Sequence, residues 1–229
     1  MSLRKNYTRG YIGFSTSLGG VFDISTTAAK RPIEYISSYG QVVNNSSSQA
    51  ITIPSGIQSG DLILAMVAGE DATTSLTGTD ASNFTIDTST SNQFIAYKYA
   101  DGTESLRTLT ATRTNSSRWG VLYFVCRYAV WNASVDKDFL SNINPSTDPT
   151  VTQTAPSDSS ILVGLFGGDT NSPDVFVPTE YTELYRLSIS DADMSAGYEI
   201  VTSQGEYSRQ WTSTATRSLN GYINLAIGQ

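Results

Sequence analysis

Two stretches carry the groups best placed to do chemistry: "DLILAMVAGED" from Asp61 to Asp71, and "ILVGLFGGD" from Ile161 to Asp169. Each is an apolar run that stops at glycine and then presents carboxylates, Glu70 and Asp71 in the first and Asp169 in the second. Two carboxyl groups about 5 to 9.5 Å apart would serve a glycoside hydrolase as acid and as base or nucleophile. Turn geometry also favours Gly and Asp, and nothing beyond these turn residues supports catalysis. There is no histidine, no Gly-rich phosphate loop followed by Lys and Ser or Thr, no GxSxG elbow with a histidine partner and no zinc-spaced His/Cys cluster. Asp169 with Asp174, and Asp191 with Asp193, offer oxygen ligands to calcium. They lack the graded spacing and bidentate glutamate of a calcium loop and read as solvated turns. The expectation is a protein with no catalytic residue, cofactor or metal site.

The aromatic residues suggest recognition instead. Thirteen Tyr and three Trp in a chain rich in Ser and Thr resemble the composition of binding surfaces, where flat amphipathic rings give contact area at low entropic cost. Trp131, Tyr181, Tyr207 and Trp211 fall near the ends of expected strands or in turns and are the candidate surface-recognition residues. For any one of them core or cross-strand packing is the expected role, and it is as a set that they suggest a binding surface. Cys126, the only cysteine, lies in the apolar run "WGVLYFVCRYA", where a buried, inert thiol is expected.

These groups need a scaffold, and composition points to strands. Ser and Thr make up 60 of the 229 residues, while charged residues are only 15%. Such a chain suits strands that show hydroxyls to water and is poor material for surface helices. The net charge of -7 is uneven: Arg4, Lys5, Arg9, Lys30 and Arg31 stand against Asp23 alone at the start of the chain. The remaining body is acidic, which argues against nucleic acid and anionic membrane as its partners. The start "MSLRKNYTRGYIGFS" lacks the apolar core of an export signal. No run reaches the roughly 18 apolar residues that span a bilayer, so membrane insertion is not expected.

Strand signals are dense, and short turns separate them, as in an all-β sandwich or barrel. "QAITI", "DLILAMVA", "NFTID", "QFIAYKYA", "LRTLTATRT" and "WGVLYFVCRYAV" follow one another, and "DLILAMVA" is apolar on both faces and so is expected at the centre. After "DKDFLSNINPSTDP" the order begins again. "ILVGLFGGD" parallels "DLILAMVAGED", "YTELYRLSI" parallels "NFTID", "AGYEIVTSQGEYS" parallels "FIAYKYADGTES", and Thr214 to Arg217 matches Thr110 to Arg113. The halves run from about 49 to 131 and from 150 to 227. The period is too long for solenoid or propeller repeats. The expected fold is an all-β, double-sheet antiparallel β-sandwich with an internal pseudo-repeat, in which each half contributes strands to both sheets.

Residues 1–35 belong to neither half. "RGYIGFSTSLGGVFDISTTAAKRPIEY" mixes glycine pairs with Tyr11, Ile12, Phe14, Leu18, Val21, Phe22 and Ile24, in no sustained period. Such an arm cannot bury its apolar groups within itself, so it either drapes on the 36–229 body or docks into another subunit. These seven residues are the candidate assembly contacts.

The arm "SLGGVFDISTTAAKRPIEY" resembles the short N-terminal segments of structural proteins of tailed bacteriophages, marine and cyanobacterial ones in particular. "IPSGIQSGDLILAMVAG", "AYKYADGTE" and "APSDSSILVGLFGGD" resemble the jelly-roll-like β domains of the same proteins. The resemblance implies a virion component, seated on the tail as a fibre, knob or adhesin or on the head as a decoration or cement protein. It implies docking to other virion proteins through the arm, homo-oligomers that are often trimers, and a host-surface glycan or protein as target. Such a protein is made in the host cytoplasm and released by lysis. A carbohydrate-binding or carbohydrate-active sandwich is the remaining alternative.

Overall fold

The computed structural model describes residues 30–70, 73–78, 81–90, 92–104, 107–141, 148–170, 175–213 and 217–229. Arg31–Gln229 form one compact unit. The assembly candidates Tyr11, Ile12, Phe14, Leu18, Val21, Phe22 and Ile24 lie outside the described residues. Among the described residues the chain is nearly all β, with fifteen strands and one short 3-10 turn.

The first half builds one antiparallel sheet. Its strands are β1 (Glu34–Thr52), β2 (Leu62–Gly69), β3 (Thr73–Gly78), β4 (Thr85–Ser89), β5 (Gln93–Tyr99) and β6 (Thr108–Arg127). They lie in the order β1-β6-β2-β5-β4, with β3 also paired to β6. The second half contributes β7 (Asp136–Ser141), β8 (Thr150–Ala155), β9 (Ser160–Thr170), β10 (Val175–Phe176), β11 (Thr182–Ile189), β12 (Ala192–Val201), β13 (Gly205–Gln210), β14 (Thr212–Ser213) and β15 (Arg217–Gly228). Here the main sheet runs β11-β12-β9-β15-β7, and β8 with β13 and β10 with β14 form two separate ribbons. Each half therefore makes a sheet of its own, which corrects the expectation that each feeds both sheets. Most neighbours in these sheets are far apart in the chain; among the described residues only β4 with β5 and β11 with β12 are successive strands that pair.

Read from β7, the second sheet repeats the β1-β6-β2-β5-β4 path of the first. Leu62 stands opposite Cys126 and Tyr99 as Ile161 stands opposite Ile227 and Ile200. The two corresponding edge strands slip register at the same place, between Ile86 and Thr88 on β4 and between Glu183 and Tyr185 on β11. A bulge is a local, positioned feature of a strand pair, so its recurrence marks a repeat of structure as well as of sequence.

Apolar residues on both faces of the central strands produce three stacked cores. Leu62, Leu64 and Met66 of β2 point into a central core shared with Ile161, Val163 and Leu165 of β9. On the other face of β2, Ile63, Ala65 and Val67 enter an outer core with Ile51, Leu109 and Ala111, from the far ends of β1 and β6. The second half has a matching outer core, where Leu162, Phe166 and Tyr222 lie with Val151, Val175 and Trp211. The body is thus one sandwich of two sheets, each with its own apolar backing.

Exposed sheet edges invite pairing with other chains unless they are covered. Here the edges cover each other. Beside β11, the Tyr185 hydroxyl donates to the Ser38 carbonyl at 2.8 Å, and Asn44 Nδ2 donates to the Ile189 carbonyl at 3.3 Å. On the opposite side, Lys137 Nζ of β7 meets both oxygens of Asp87 on β4 at 2.8 and 2.9 Å. Gln93 Nε2 donates to the Leu140 carbonyl at 2.7 Å.

Candidate functional site

The carboxylates that could do chemistry are placed as follows. Asp61 is buried at the start of β2, where Oδ1 accepts from Arg127 Nε at 2.7 Å and Oδ2 from Arg127 Nη2 at 2.9 Å. Its Oδ2 also accepts the Gln58 backbone N–H at 2.8 Å. Glu70, just past the other end of β2, accepts the Arg118 backbone N–H at 2.9 Å and its guanidinium at 3.2 Å. Both side chains are tied into the fold by charge-assisted bonds. Asp169 is the penultimate residue of β9, its backbone opposite Ala192. Asp71 and Asp174 lie outside the described residues.

The turn aspartates separate in space and role. Ser190 and Asp191 make the tight turn between β11 and β12, with Ser190 in the left-handed region at φ 54°. The Asp191 carboxylate lies 3.5 Å from Arg118. Asp193 is buried on β12. Among the described residues no group of three or more His, Cys, Asp or Glu side chains gathers as metal ligands would.

Three of the four recognition candidates belong to the interior, which corrects their assignment to an exposed surface. Trp131 is 8% exposed, Tyr181 6% and Trp211 0%. Trp131 stacks on Tyr97 and donates its Nε1–H to Asp87 at 3.2 Å. Tyr181 donates to Gln153 Oε1 at 2.8 Å, and Trp211 to Asn224 Oδ1 at 2.9 Å. A buried Tyr or Trp needs such a partner for its polar end. Burial accordingly pushes the Tyr181 hydroxyl well above its ordinary range. Gly164 makes the room: a Cβ there would come within 2.7 Å of the Trp211 ring and 3.1 Å of Tyr181. Only Tyr207 stays half exposed, with its hydroxyl donating to the Ser203 carbonyl at 2.8 Å and the Arg209 guanidinium 5.2 Å from its ring centre.

Two ion pairs take up further charge in equivalent places. Lys98 on β5 meets Glu104 at 2.7 Å with both side chains buried. At the corresponding position on β12, Glu199 carries the opposite charge and meets Arg209 at 2.8 Å. Neither pair stands out in the sequence except by its place in "AYKYADGTE" and "GYEIVTSQGEYSR".

The body has two distinct ends. At one end Arg31 donates to the Tyr128 hydroxyl at 2.7 Å, Ile33 N–H to Ser159 Oγ at 2.8 Å and Gln229 N–H to Ser157 Oγ at 3.2 Å. The other end carries Glu70, Arg118, Asn92 and the Asp191 turn, where Asn92 Nδ2 donates to the Gly69 carbonyl at 2.9 Å. No family model, curated protein or solved structure matches the chain. What the geometry defines is a duplicated antiparallel β-sandwich with Arg31 and Gln229 at the same pole.

Proposed function

We propose that this chain is a non-enzymatic structural protein of a tailed-phage virion, attached to the tail as a fibre, knob or adhesin. Its N-terminal arm docks to other virion proteins, and the sandwich stands exposed to recognise a host-surface glycan or protein. The single observation that carries this reading is the polarity of the body. The chain joins the body at Arg31, at the same end as Gln229, so an anchor there leaves the Glu70 and Asp191 end free to face outward. The use of Glu70 as a partner of Arg118 supports a structural role for that carboxylate.

Full-length and arm-deleted chains, expressed during particle assembly, test the anchor. The deleted chain should fold and fail to enter particles. Equal incorporation of both defeats the reading. Stoichiometric copies on the head, with added capsid stability, would favour a decoration protein instead.

A further inference from the structure

We infer that the body is a fused dimer: the surface between its halves is the self-complementary interface of a two-fold pair, and the partner that each half's inner face fits is a second copy of the same unit. In an isologous interface, a contact made by one member recurs with the roles exchanged. The edge contacts here recur in place, although the residues that make them are not all equivalent. Tyr35, from the first half, stacks on Tyr198 of the second, and Tyr97 of the first is covered by Trp131, from the link before β7. Tyr97 and Tyr198 are equivalent residues, opposite Thr85 and Thr182 across equivalent ladders. Edge β1 lies by β11 as edge β7 lies by β4, through the hydrogen bonds and ion pair given above. The inner faces are also interchangeable in chemistry, with Leu62, Leu64 and Met66 on one and Ile161, Val163 and Leu165 on the other.

The two sheets approach closely where β2 and β9 end. A Cβ on Gly120 would meet the Met194 Cγ at 2.7 Å, and one on the equivalent Gly221 the Asn92 carbonyl oxygen at 2.7 Å. The interface departs from symmetry at the neighbouring pair. Ala68 occupies the first half's position, and Gly167 the second's, where a Cβ would run into the Ala68 carbonyl and lie 2.5 Å from the Gly120 nitrogen. A second copy of the first half would bring its own Ala68 methyl to that spot. Ala68 against Gly167 therefore sets the unlike halves to pair with each other.

A double-mutant cycle in the full chain tests this. Gly167→Ala should lower the urea midpoint. If the interface is two-fold, Ala68→Gly added to it exchanges the residues between equivalent sites, and the double variant should regain part of the lost midpoint. A double variant no more stable than Gly167→Ala overturns the inference, since an asymmetric interface would only lose a further methyl group. Should neither variant fold, a full-length chain carrying a protease site between Ala133 and Ser134, in the exposed turn before β7, decides the matter. After cutting, the two pieces should migrate as one species of the intact size and recombine one to one after separation in denaturant. Pieces that part on cleavage, or fail to recombine, overturn it.

Discussion

The ring of Tyr35 lies stacked on that of Tyr198, centroids 4.5 Å apart and planes at 20°, and so pins the start of the first half to the sheet of the second. Trp131, at the end of the first half, lies on Tyr97 of the same half at 5.0 Å and 22°. Both stacks lie at the end where the chain joins the body, and the Tyr35 stack is the strap between the halves.

Removing this strap should loosen the two halves without unfolding either sheet. Tyr35→Ala loses a half-buried ring and its stacking partner, a cost of about 2 kcal/mol. Urea denaturation of the variant should show a lower midpoint, and Tyr198→Ala should lose a similar amount. The double variant should lose less than the sum, because the two residues share one contact.

Acid should weaken the fold through two carboxylates. Burial alone would raise the pKa of Glu104, but hydrogen bonds from Lys98 and from backbone N–H groups outweigh it and hold the group below its ordinary range. Asp87 is held low in the same way, burial being outweighed by Lys137, Thr88 and Trp131. Unfolding returns both to about pH 4. Their stabilisation is complete above that value and disappears as the pH falls through the lower folded values. The urea midpoint should hold from about pH 7 to 5 and drop below about pH 4. A Glu104→Gln, Asp87→Asn variant should start lower at neutral pH and depend less on acid.

The interior aromatics and the surface one should part company under mutation. Trp211→Ala removes a fully buried ring and should cost about 3–5 kcal/mol. Tyr207→Ala, at a half-exposed site, should cost under about 1 kcal/mol. Thermal melts of the two variants check the contrast, and any binding lost with Trp211→Ala would then report unfolding.

Cys126 is fully buried, and burial, with the nearby Asp61 charge, raises its thiol far above the ordinary range. A thiol-specific reagent should leave the native protein unlabelled. Labelling should follow the unfolding transition in urea.

Much of the fold was legible in the residues, for a physical reason. "LILAMVA" and "ILVGLFGG" are apolar at every position because both faces of β2 and β9 are covered. The repeat was legible because equivalent strands keep equivalent patterns, down to Tyr97 and Tyr198. Other features were hidden. β1 starts at Glu34 and so takes Tyr35 into the body, yet its stretch from Ser37 to Ser48 is polar apart from Tyr39, Val42 and Val43, and register slips between Val43 and Ser48 break its alternation. "LRTLTATRT" and "WGVLYFVCRYAV" read as two strands, since Asn115, Ser116 and Ser117 look like a turn, but β6 runs through them as one. The buried aromatics were hidden for another reason. Trp131 and Trp211 sit in the backbone just outside strands, as a turn residue would, while their rings fold inward. Strand patterns place a residue along the chain and do not show which way a ring at a strand end turns.

The most direct test of the proposed role is to raise an antibody to the recombinant body and locate it by gold labelling on purified particles in the electron microscope. The account predicts label on the tail. Label spread over the head would contradict the tail assignment in favour of a decoration protein. No label on intact particles, with the epitope shown to be accessible, would contradict the exposed virion body itself.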